Sequence, residues 1–228
     1  MTLARRLVAE AVGTALLVAA VVGSGIMAER LAGPDVALAL LANTLATGAA
    51  LVALILGLGP ISGAHFNPIV SVWAAVTGEL RRRDAAGYVG AQLVGALAGA
   101  LVANAMFELA LVGPATTARH GRGLLLGEVV ATFGLLGIVV ASSRRRAAAT
   151  PYAVAAYIVA AYWFTSSTSF ANPAVTVARA ATDSFTGIRP ADVPAFVAAQ
   201  AVGGTLAALL FGWLTPGQPR PQHASPAR

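Results

Sequence analysis

The sequence predicts an all-α integral membrane protein with six transmembrane helices and two re-entrant half-helices, arranged as an inverted 3+3 repeat. Composition is the first reason, because 57% of the 228 residues are hydrophobic and only 11% are charged, whereas soluble domains average about a quarter charged. Six apolar stretches approach the roughly 20 residues needed to cross a bilayer. Two short Asn-Pro segments interrupt this pattern in matching places, and they predict the half-helices.

The six predicted spans follow one another along the chain, separated by short loops that contain Gly, Pro, Asp or clusters of Arg. The fifth is the shortest, but Pro151 gives it a suitable start, and a small polar run follows it. The first continues for a full span without a clear cleavage site, so we interpret it as a permanent helix and not as a signal peptide. The spans are Leu7–Leu31, Val36–Leu58, Tyr88–Leu111, Leu124–Ala141, Tyr152–Phe164 and Val193–Leu214.

The two Asn-Pro segments are Ser62–Val72, SGAHFNPIVSV, and Ser166–Arg179, SSTSFANPAVTVAR. Asn is a good helix N-cap and Pro suits the first turn, so each segment predicts the beginning of a short helix. Irregular backbone at membrane depth is tolerated only against protein or a water-filled cavity. Both segments therefore indicate a polar path inside the membrane.

Arginine distribution predicts the orientation. All 15 basic residues are Arg, and they lie in short loops between apolar stretches, which favours topology signals over nucleic-acid binding. If each Asn-Pro segment returns to the side that it came from, ten Arg lie on one side against four on the other, and both termini are cytoplasmic in the plasma (inner) membrane of the cell. The larger group is Arg5, Arg6, Arg81, Arg82, Arg83, Arg144, Arg145, Arg146, Arg220 and Arg228, and the smaller is Arg30, Arg119, Arg122 and Arg189.

The two halves repeat the same order of features. A Glu near the start of the first span, in Glu10–Thr14, matches one in the fourth, in Glu128–Thr132. The Asn-Pro pairs follow, and then Gln92 and Gln200 stand in similar surroundings in the third and sixth spans. Three spans per half is an odd number, so the halves must have opposite topology. The two half-helices then enter from opposite faces and meet near the middle.

On these residues the chain resembles the aquaporin and aquaglyceroporin family, the major intrinsic proteins, and in particular bacterial members whose outer filter lacks the usual Arg. The resemblance implies the hourglass fold, a homotetramer with one pore per subunit, and one channel domain over residues 1–216, with repeats at about 5–112 and 122–214. Residues 217–228 are then a disordered cytoplasmic tail. The paired boxes that carry the resemblance are Asn67, Pro68, Ile69, Asn172, Pro173 and Ala174.

Buried polar residues take supporting roles under this resemblance. Glu10 and Glu128 are expected to accept hydrogen bonds from the re-entrant loops, assisted by Gln92 and Gln200. The alternative, a proton relay of a transporter, follows from the rule that intramembrane carboxylates are functional by default. His65 is either a brace for the first loop or a pH-sensitive gate.

The outer filter departs from the family pattern. Members typically have an Arg three residues after the second Asn, where this chain has Val175. By spacing, the other three filter positions fall at Thr47, Ala160 and Ser169. Arg179 lies one helical turn further along and is not an obvious substitute. An isopropyl group in place of a guanidinium predicts a wider opening that lacks a fixed charge and five N–H donors.

The predicted function is a passive channel for small uncharged solutes: water, glycerol-like polyols, urea, or arsenite and methylated arsenite. Its partners are these solutes and the lipid bilayer, with no nucleic acid, cofactor or metal. A water-selective aquaporin and a solute-coupled secondary transporter are the alternatives. An enzyme is not expected, because Ser166, Ser167 and Ser169 have no His within a span of the same half to act as a base, and the chain has no Cys.

Overall fold

Eight α-helices make up the structure, a computed structural model that describes residues 1–215. Two single 3₁₀ turns, Ala147–Ala149 and Pro190–Asp192, precede α6 and α8. The tail predicted for residues 217–228 lies outside the described residues. The helices are α1 (Leu3–Ala32), α2 (Val36–Ser62), α3 (Pro68–Val76), α4 (Arg82–Met106), α5 (Arg122–Arg145), α6 (Thr150–Phe164), α7 (Pro173–Arg179) and α8 (Val193–Leu214).

Six helices, α6 and α8 being counted with the 3₁₀ turns that precede them, are long and apolar enough to cross a membrane, which confirms the six predicted spans. The third differs in its bounds, since α4 begins six residues before Tyr88 and ends before Leu111. Its first turn contains Asp84, whose carboxylate accepts from Arg81 at 2.9 Å and lies 3.8 Å from Arg6. Because these contacts pair the Asp84 carboxylate with arginines, the charged first turn of α4 can pack against the bundle. Hydropathy alone does not detect such pairing, so the predicted span began later.

Helices of the same half pack closely through glycine. An added Cβ at Gly95 of α4 would lie 2.1 Å from the carbonyl oxygen of Ala11 in α1. In the second half, a Cβ at Gly203 of α8 would lie 2.3 Å from the carbonyl oxygen of Val129 in α5. Small residues permit this backbone-to-backbone approach in membrane bundles. The two halves therefore use the same packing device, as expected for an inverted repeat.

The membrane has two faces, which we define by their loops. The terminal face contains Met1, the turn between α3 and α4, the linker between α5 and α6, and the end of α8. The far face contains the turn between α1 and α2, the loop of residues 107–121, and the loop of residues 180–192. Helix α3 runs from the middle to the terminal face, and α7 runs from the middle to the far face.

The N-termini of α3 and α7 meet inside the molecule. Asn67 Nδ2 donates to the Ala171 carbonyl at 2.8 Å, and Asn172 Nδ2 donates to the Phe66 carbonyl at 2.8 Å. The opposed half-helices predicted from the sequence are therefore linked by a reciprocal pair of hydrogen bonds. This pair fixes the two halves against each other at the centre of the bundle.

Ile69 of the first box packs against α8. A Cβ added at Gly204 of α8 would lie 2.6 Å from Ile69 Cγ2, so the isoleucine occupies the space that the missing side chain leaves. The larger residue at this position is thus matched by a glycine on a different helix.

We expect Gly204→Ala to destabilise the protein by about 1–3 kcal/mol, because overpacking forces Ile69 from its position. In an Ile69→Ala background the same change should cost little, since the clashing methyl group is gone. Thermal unfolding of the two single variants and the double variant in detergent measures this coupling. Additive losses in the double variant would contradict the proposed contact.

Candidate functional site

The two re-entrant loops have an unusual backbone. Ala64 and Phe66 in the first loop have φ values of 49° and 48°, and Ser169 and Ala171 in the second have 51° and 48°. Non-glycine residues in this left-handed region are strained by roughly 1–3 kcal/mol each. Such a conformation persists only where the surroundings determine it strongly, so the loops must be held by other groups.

Glu10 of α1 holds the first loop. Its Oε1 accepts from Ser62 Oγ at 2.6 Å and from the His65 backbone N–H at 3.0 Å, and its Oε2 accepts from the Phe66 N–H at 2.8 Å. Gln92 Nε2 donates to the same Oε2 at 2.8 Å and to Ser71 Oγ at 2.9 Å. The carboxylate is fully buried, and donors surround both of its oxygens.

Glu128 of α5 holds the second loop in the same way. It accepts from the backbone N–H groups of Phe170 and Ala171, each at 2.9 Å, and from Gln200 Nε2 at 2.6 Å. Gln200 also donates to Thr176 Oγ1 at 2.8 Å, as Gln92 does to Ser71. Because both carboxylates are engaged with fixed neutral donors, their geometry is that of loop supports and not of a proton relay.

A cavity of about 310 Å³ runs past both Asn-Pro boxes. Glu79 and Ser143 lie at its terminal-face end, and Phe170 and Arg179 lie at its far-face end. One wall is apolar and comes from the four long helices α1, α2, α5 and α6. The residues of that wall are Leu17, Val21, Leu51, Ile55, Leu135, Val139, Val154 and Ile158.

Asn67 and Asn172 line this cavity at the point where the half-helices begin. Each side-chain oxygen caps its own helix, Asn67 Oδ1 accepting from Ile69 N–H at 2.9 Å and Asn172 Oδ1 from Ala174 N–H at 3.0 Å. Each amide uses one N–H in the reciprocal bonds described above, and an amide has two. The second N–H of each Asn remains as a donor toward the cavity.

Four side chains surround the cavity near α7: Thr47 of α2, Tyr162 of α6, Ser169 and Val175. Thr47 Oγ1 and the Tyr162 hydroxyl lie 3.4 Å apart. Ser169 Oγ is buried without a hydrogen-bond partner among the residues that the structure describes. Thr47, Ser169 and Val175, which the sequence assigns to the filter, all line this cavity, and none of them is charged.

Ala160 does not join this group, and its assignment to the filter is wrong. It lies on an exposed face of α6, while Tyr162 lines the cavity. Two residues correspond to about 200° of rotation on a helix, so an error of two positions moves a side chain to the opposite face. The error arises from the length of the loop between α6 and the second box. The α6 side of the cavity therefore contains a large aromatic ring where the sequence suggested a methyl group.

Arg179 at the end of α7 lines the cavity one turn closer to the far face than Val175. Its side chain is only 3% exposed, and its guanidinium carbon lies 3.3 Å from the centre of the Phe170 ring. Nε donates to the Thr186 carbonyl at 2.5 Å. The sequence identified this residue but gave it no role.

His65 lines the cavity on the terminal side of the first box. Its Nδ1 lies 3.0 Å from Ser71 Oγ, and its ring packs against Tyr88 with centroids 5.2 Å apart. Arg6 lies over the same Tyr88 ring, at 5.1 Å from its centre. Burial of the ring disfavours a positive charge on His65, and Arg6 adds to this cost while the Glu10 carboxylate opposes it. The balance favours the neutral, bracing role.

We expect solute permeability to stay constant between about pH 5 and pH 8, the range in which an ordinary His changes charge. Stopped-flow measurements on the unaltered protein and on His65→Ala test this expectation. A titration present in the first and absent from the second would establish the gating alternative.

Comparison with known proteins agrees with this geometry. A sequence model of the family described as "Major intrinsic protein" matches residues 1–165. The chain belongs to the major intrinsic protein family. The proteins of this family are aquaporin and aquaglyceroporin channels and are not enzymes, which confirms the channel class and the absence of an enzymatic role.

Individual relatives also match the second Asn-Pro box, which lies beyond the residues that the family model covers. The aquaglyceroporin AqpS of Rhizobium meliloti (strain 1021) is 54% identical over 225 residues, which cover 98% of this chain and 96% of that protein. Aquaporin Z of Bradyrhizobium diazoefficiens is 28% identical over 92% of this chain and 93% of its own length.

Among solved structures, the aquaglyceroporin of Plasmodium falciparum matches with a TM-score of 0.69 at 20% identity, covering 92% of this chain and 96% of that one. This similarity shows the fold. It confirms the predicted membrane channel architecture of six spans and two half-helices.

Proposed function

We propose that this protein is a passive channel for small uncharged solutes: water, glycerol-like polyols, urea, arsenite and methylated arsenite. One observation supports it above the others: the cavity passes two Asn donors and is lined by Val175 at the position where the resembled family typically has an Arg. The similarity to an aquaglyceroporin over nearly the whole chain supports the same class of solute.

The centre of the path suits a neutral solute that carries hydroxyl or amide groups. Asn67 and Asn172 each offer an N–H to a passing oxygen, and the opposite wall is apolar. The half-helix N-termini add roughly half a positive charge each, which disfavours cations at the midpoint. A solute that is partly polar and partly apolar can contact both walls at once.

The filter residues extend this selectivity. Val175 provides a small apolar surface, and the Thr47 hydroxyl beside Tyr162 can exchange hydrogen bonds with a solute. Because no guanidinium lies among these residues, the opening is wider and has fewer N–H donors that would bind water in place of a larger solute. Metalloid hydroxides belong to the proposal because they are uncharged and carry several hydroxyl groups, as glycerol does.

A water-selective pore is the second candidate, and Tyr162 is the observation that favours it. Its ring occupies the α6 side of the filter and contacts Thr47 at 3.4 Å, so the opening is narrower on this side than alanine would make it. Solutes larger than water then depend on the space that Val175 leaves opposite.

A coupled transporter is a weaker candidate. The crossed bonds from Asn67 to Ala171 and from Asn172 to Phe66 tie the half-helices together at the centre. Alternating access requires one half to move against the other, and each such movement would break these bonds. A fixed pore agrees better with the linked boxes.

Stopped-flow light scattering on proteoliposomes tests the proposal with water, glycerol, urea and arsenite as separate solutes. We expect fluxes of glycerol and at least one other solute well above those of empty liposomes, without saturation or ion coupling. A result in which water alone passes would establish the water-selective candidate, and saturable flux that depends on an ion gradient would establish the transporter.

Orientation and assembly belong to the same proposal. Within the described residues, the terminal face contains Arg5, Arg6 and two triple-Arg clusters, at 81–83 and 144–146. The positive-inside rule then places this face in the cytoplasm of the cell and the protein in its inner (plasma) membrane. A homotetramer with one pore per subunit follows the family resemblance, and crosslinking in native membranes tests it.

A further inference from the structure

The far-face end of the cavity contains a buried cation with free donors. Among the residues that the structure describes, Arg179 makes one side-chain hydrogen bond, from Nε to the Thr186 carbonyl, and no ion pair. Its Nη1 and Nη2 groups have no partner in this part of the chain, and they are not among the enclosed polar atoms. Because Arg179 lines the cavity, these N–H groups are directed to its contents.

A second guanidinium lies close to the aromatic ring that Arg179 contacts. The guanidinium carbon of Arg119, from the far-face loop of residues 107–121, lies 5.0 Å from the centre of the same Phe170 ring. Its Nε donates to the Gly187 carbonyl at 2.7 Å, and its backbone N–H donates to Asp192. Burial lowers the pKa of Arg119, and the field of Arg179 adds to that of Arg119 at the mouth.

The negative charge near this pair is smaller than the positive charge. Glu128 is the carboxylate whose field reaches both arginines, but its oxygens are bound by loop N–H groups and Gln200. Asp192, which accepts from the Arg119 backbone N–H, is paired with Arg189. Two guanidiniums against the one remaining carboxylate leave an excess of one positive charge at a partly desolvated mouth. A guanidinium with free Nη groups is suited to bind a carboxylate or small oxyanion through two parallel hydrogen bonds.

We propose that Arg179, with Arg119 beside it, forms a binding site for one small oxyanion or carboxylate at the far-face mouth of the channel. The anion lies against the Nη groups of Arg179, one turn outward from Val175, and neutralises the excess charge. It occupies the path that a neutral solute must take. The positive charge that the family places in its filter is thus moved outward in this chain and becomes a site of its own.

The inference rests on the proposed channel function only where flux is the measurement, so binding is measured separately. Formate, a planar carboxylate, is the probe, and gluconate at the same concentration is the control, because gluconate is too bulky to reach a buried guanidinium. We expect formate to raise the unfolding temperature of the detergent-solubilised protein relative to gluconate, since ligands that bind only the folded state stabilise it.

Two variants assign this effect to its residue. Arg179→Met should abolish the formate-dependent shift, whereas Arg122→Met, which removes an exposed arginine from the same face, should leave it unchanged. Arg179→Lys keeps the charge without the planar fork, and we expect formate affinity to fall about tenfold. If Arg179→Met does not fold, the comparison of Arg179→Lys with the unaltered protein still decides the point.

Flux provides the second measurement. With equal formate on both sides of proteoliposomes, glycerol permeability should fall by about half when formate reaches its dissociation constant, and Arg179→Lys should need about ten times more. Equal unfolding temperatures in formate and gluconate would overturn the inference, as would a formate effect that persists in Arg179→Met. Absence of glycerol flux from the unaltered protein in gluconate would instead contradict the proposed function and leave the binding result standing.

Discussion

Glu128→Ala should eliminate glycerol permeability and lower the stability of the protein by several kcal/mol. The change removes the acceptor of three hydrogen bonds, from the Phe170 and Ala171 backbone N–H groups and from Gln200. Each buried donor left without a partner costs about 1–3 kcal/mol. The second loop also holds Ser169 and Ala171 in the left-handed region, and we expect it to relax once those bonds are absent.

Glu29→Ala is the matched control, because it removes an exposed carboxylate from α1. Stopped-flow glycerol permeability and thermal unfolding in detergent measure both effects. Glu128→Gln keeps one carbonyl acceptor, so its glycerol permeability and stability should lie between those of Glu128→Ala and Glu29→Ala. If Glu128→Ala retained full stability and reached unaltered flux, the carboxylate would not be the support that its hydrogen bonds indicate.

Val175→Arg should lower glycerol permeability at least about tenfold while water permeability changes much less. The longer side chain enters the space opposite Tyr162, and its five N–H donors hold water in place of larger solutes. It also stands one turn before Arg179 on α7, and like charges four residues apart repel. The combined result is a narrower and more positive outer path.

Val175→Met separates bulk from charge, since methionine is longer than valine, though shorter than arginine, and has neither N–H donors nor charge. We expect it to reduce glycerol flux less than arginine does. Equal uptake of glycerol and arsenite by Val175→Arg and the unaltered protein would contradict the filter assignment. Equal losses in Val175→Met and Val175→Arg would attribute the selectivity to size alone.

The Val175→Arg variant also tests how positions 175 and 179 act together. If Arg179 already provides a positive mouth, Val175→Arg adds a second cation to an existing site and should strengthen formate inhibition. The double variant Val175→Arg with Arg179→Val would move the charge one turn inward, to the position usual in the family. Its solute range should then resemble that of Val175→Arg, without the formate site.

The local signals in the sequence were strong where one residue type has one physical role. Apolar length predicted the six spans, and Asn followed by Pro predicted where α3 and α7 begin, because an N-cap and a fixed φ act over neighbouring residues. Glu10 and Glu128 were identified by their repetition at equal places in both halves. None of these inferences required knowledge of how the helices are rotated.

The filter shows where sequence reasoning ends. Whether Ala160 or Tyr162 reaches the cavity depends on the rotation of α6, and each residue changes that rotation by about 100°. The length of the loop between α6 and the second box determines which α6 residue faces the cavity. A loop has no sequence periodicity, so this length cannot be inferred from the residue pattern. The partner of Ile69, Gly204 of α8, likewise depends on which helices the fold brings together.

By itself the sequence determined a membrane protein with inverted halves and two opposed helix caps, with Val175 three residues after the second capping Asn. Tertiary structure alone decided that Tyr162 and not Ala160 lines the cavity, and that Arg179 lines it while Arg119 lies near the same Phe170 ring. The physical reason is that caps and spans arise from contacts a few residues apart. The direction of a side chain toward a shared cavity is instead set by how distant helices and loops pack.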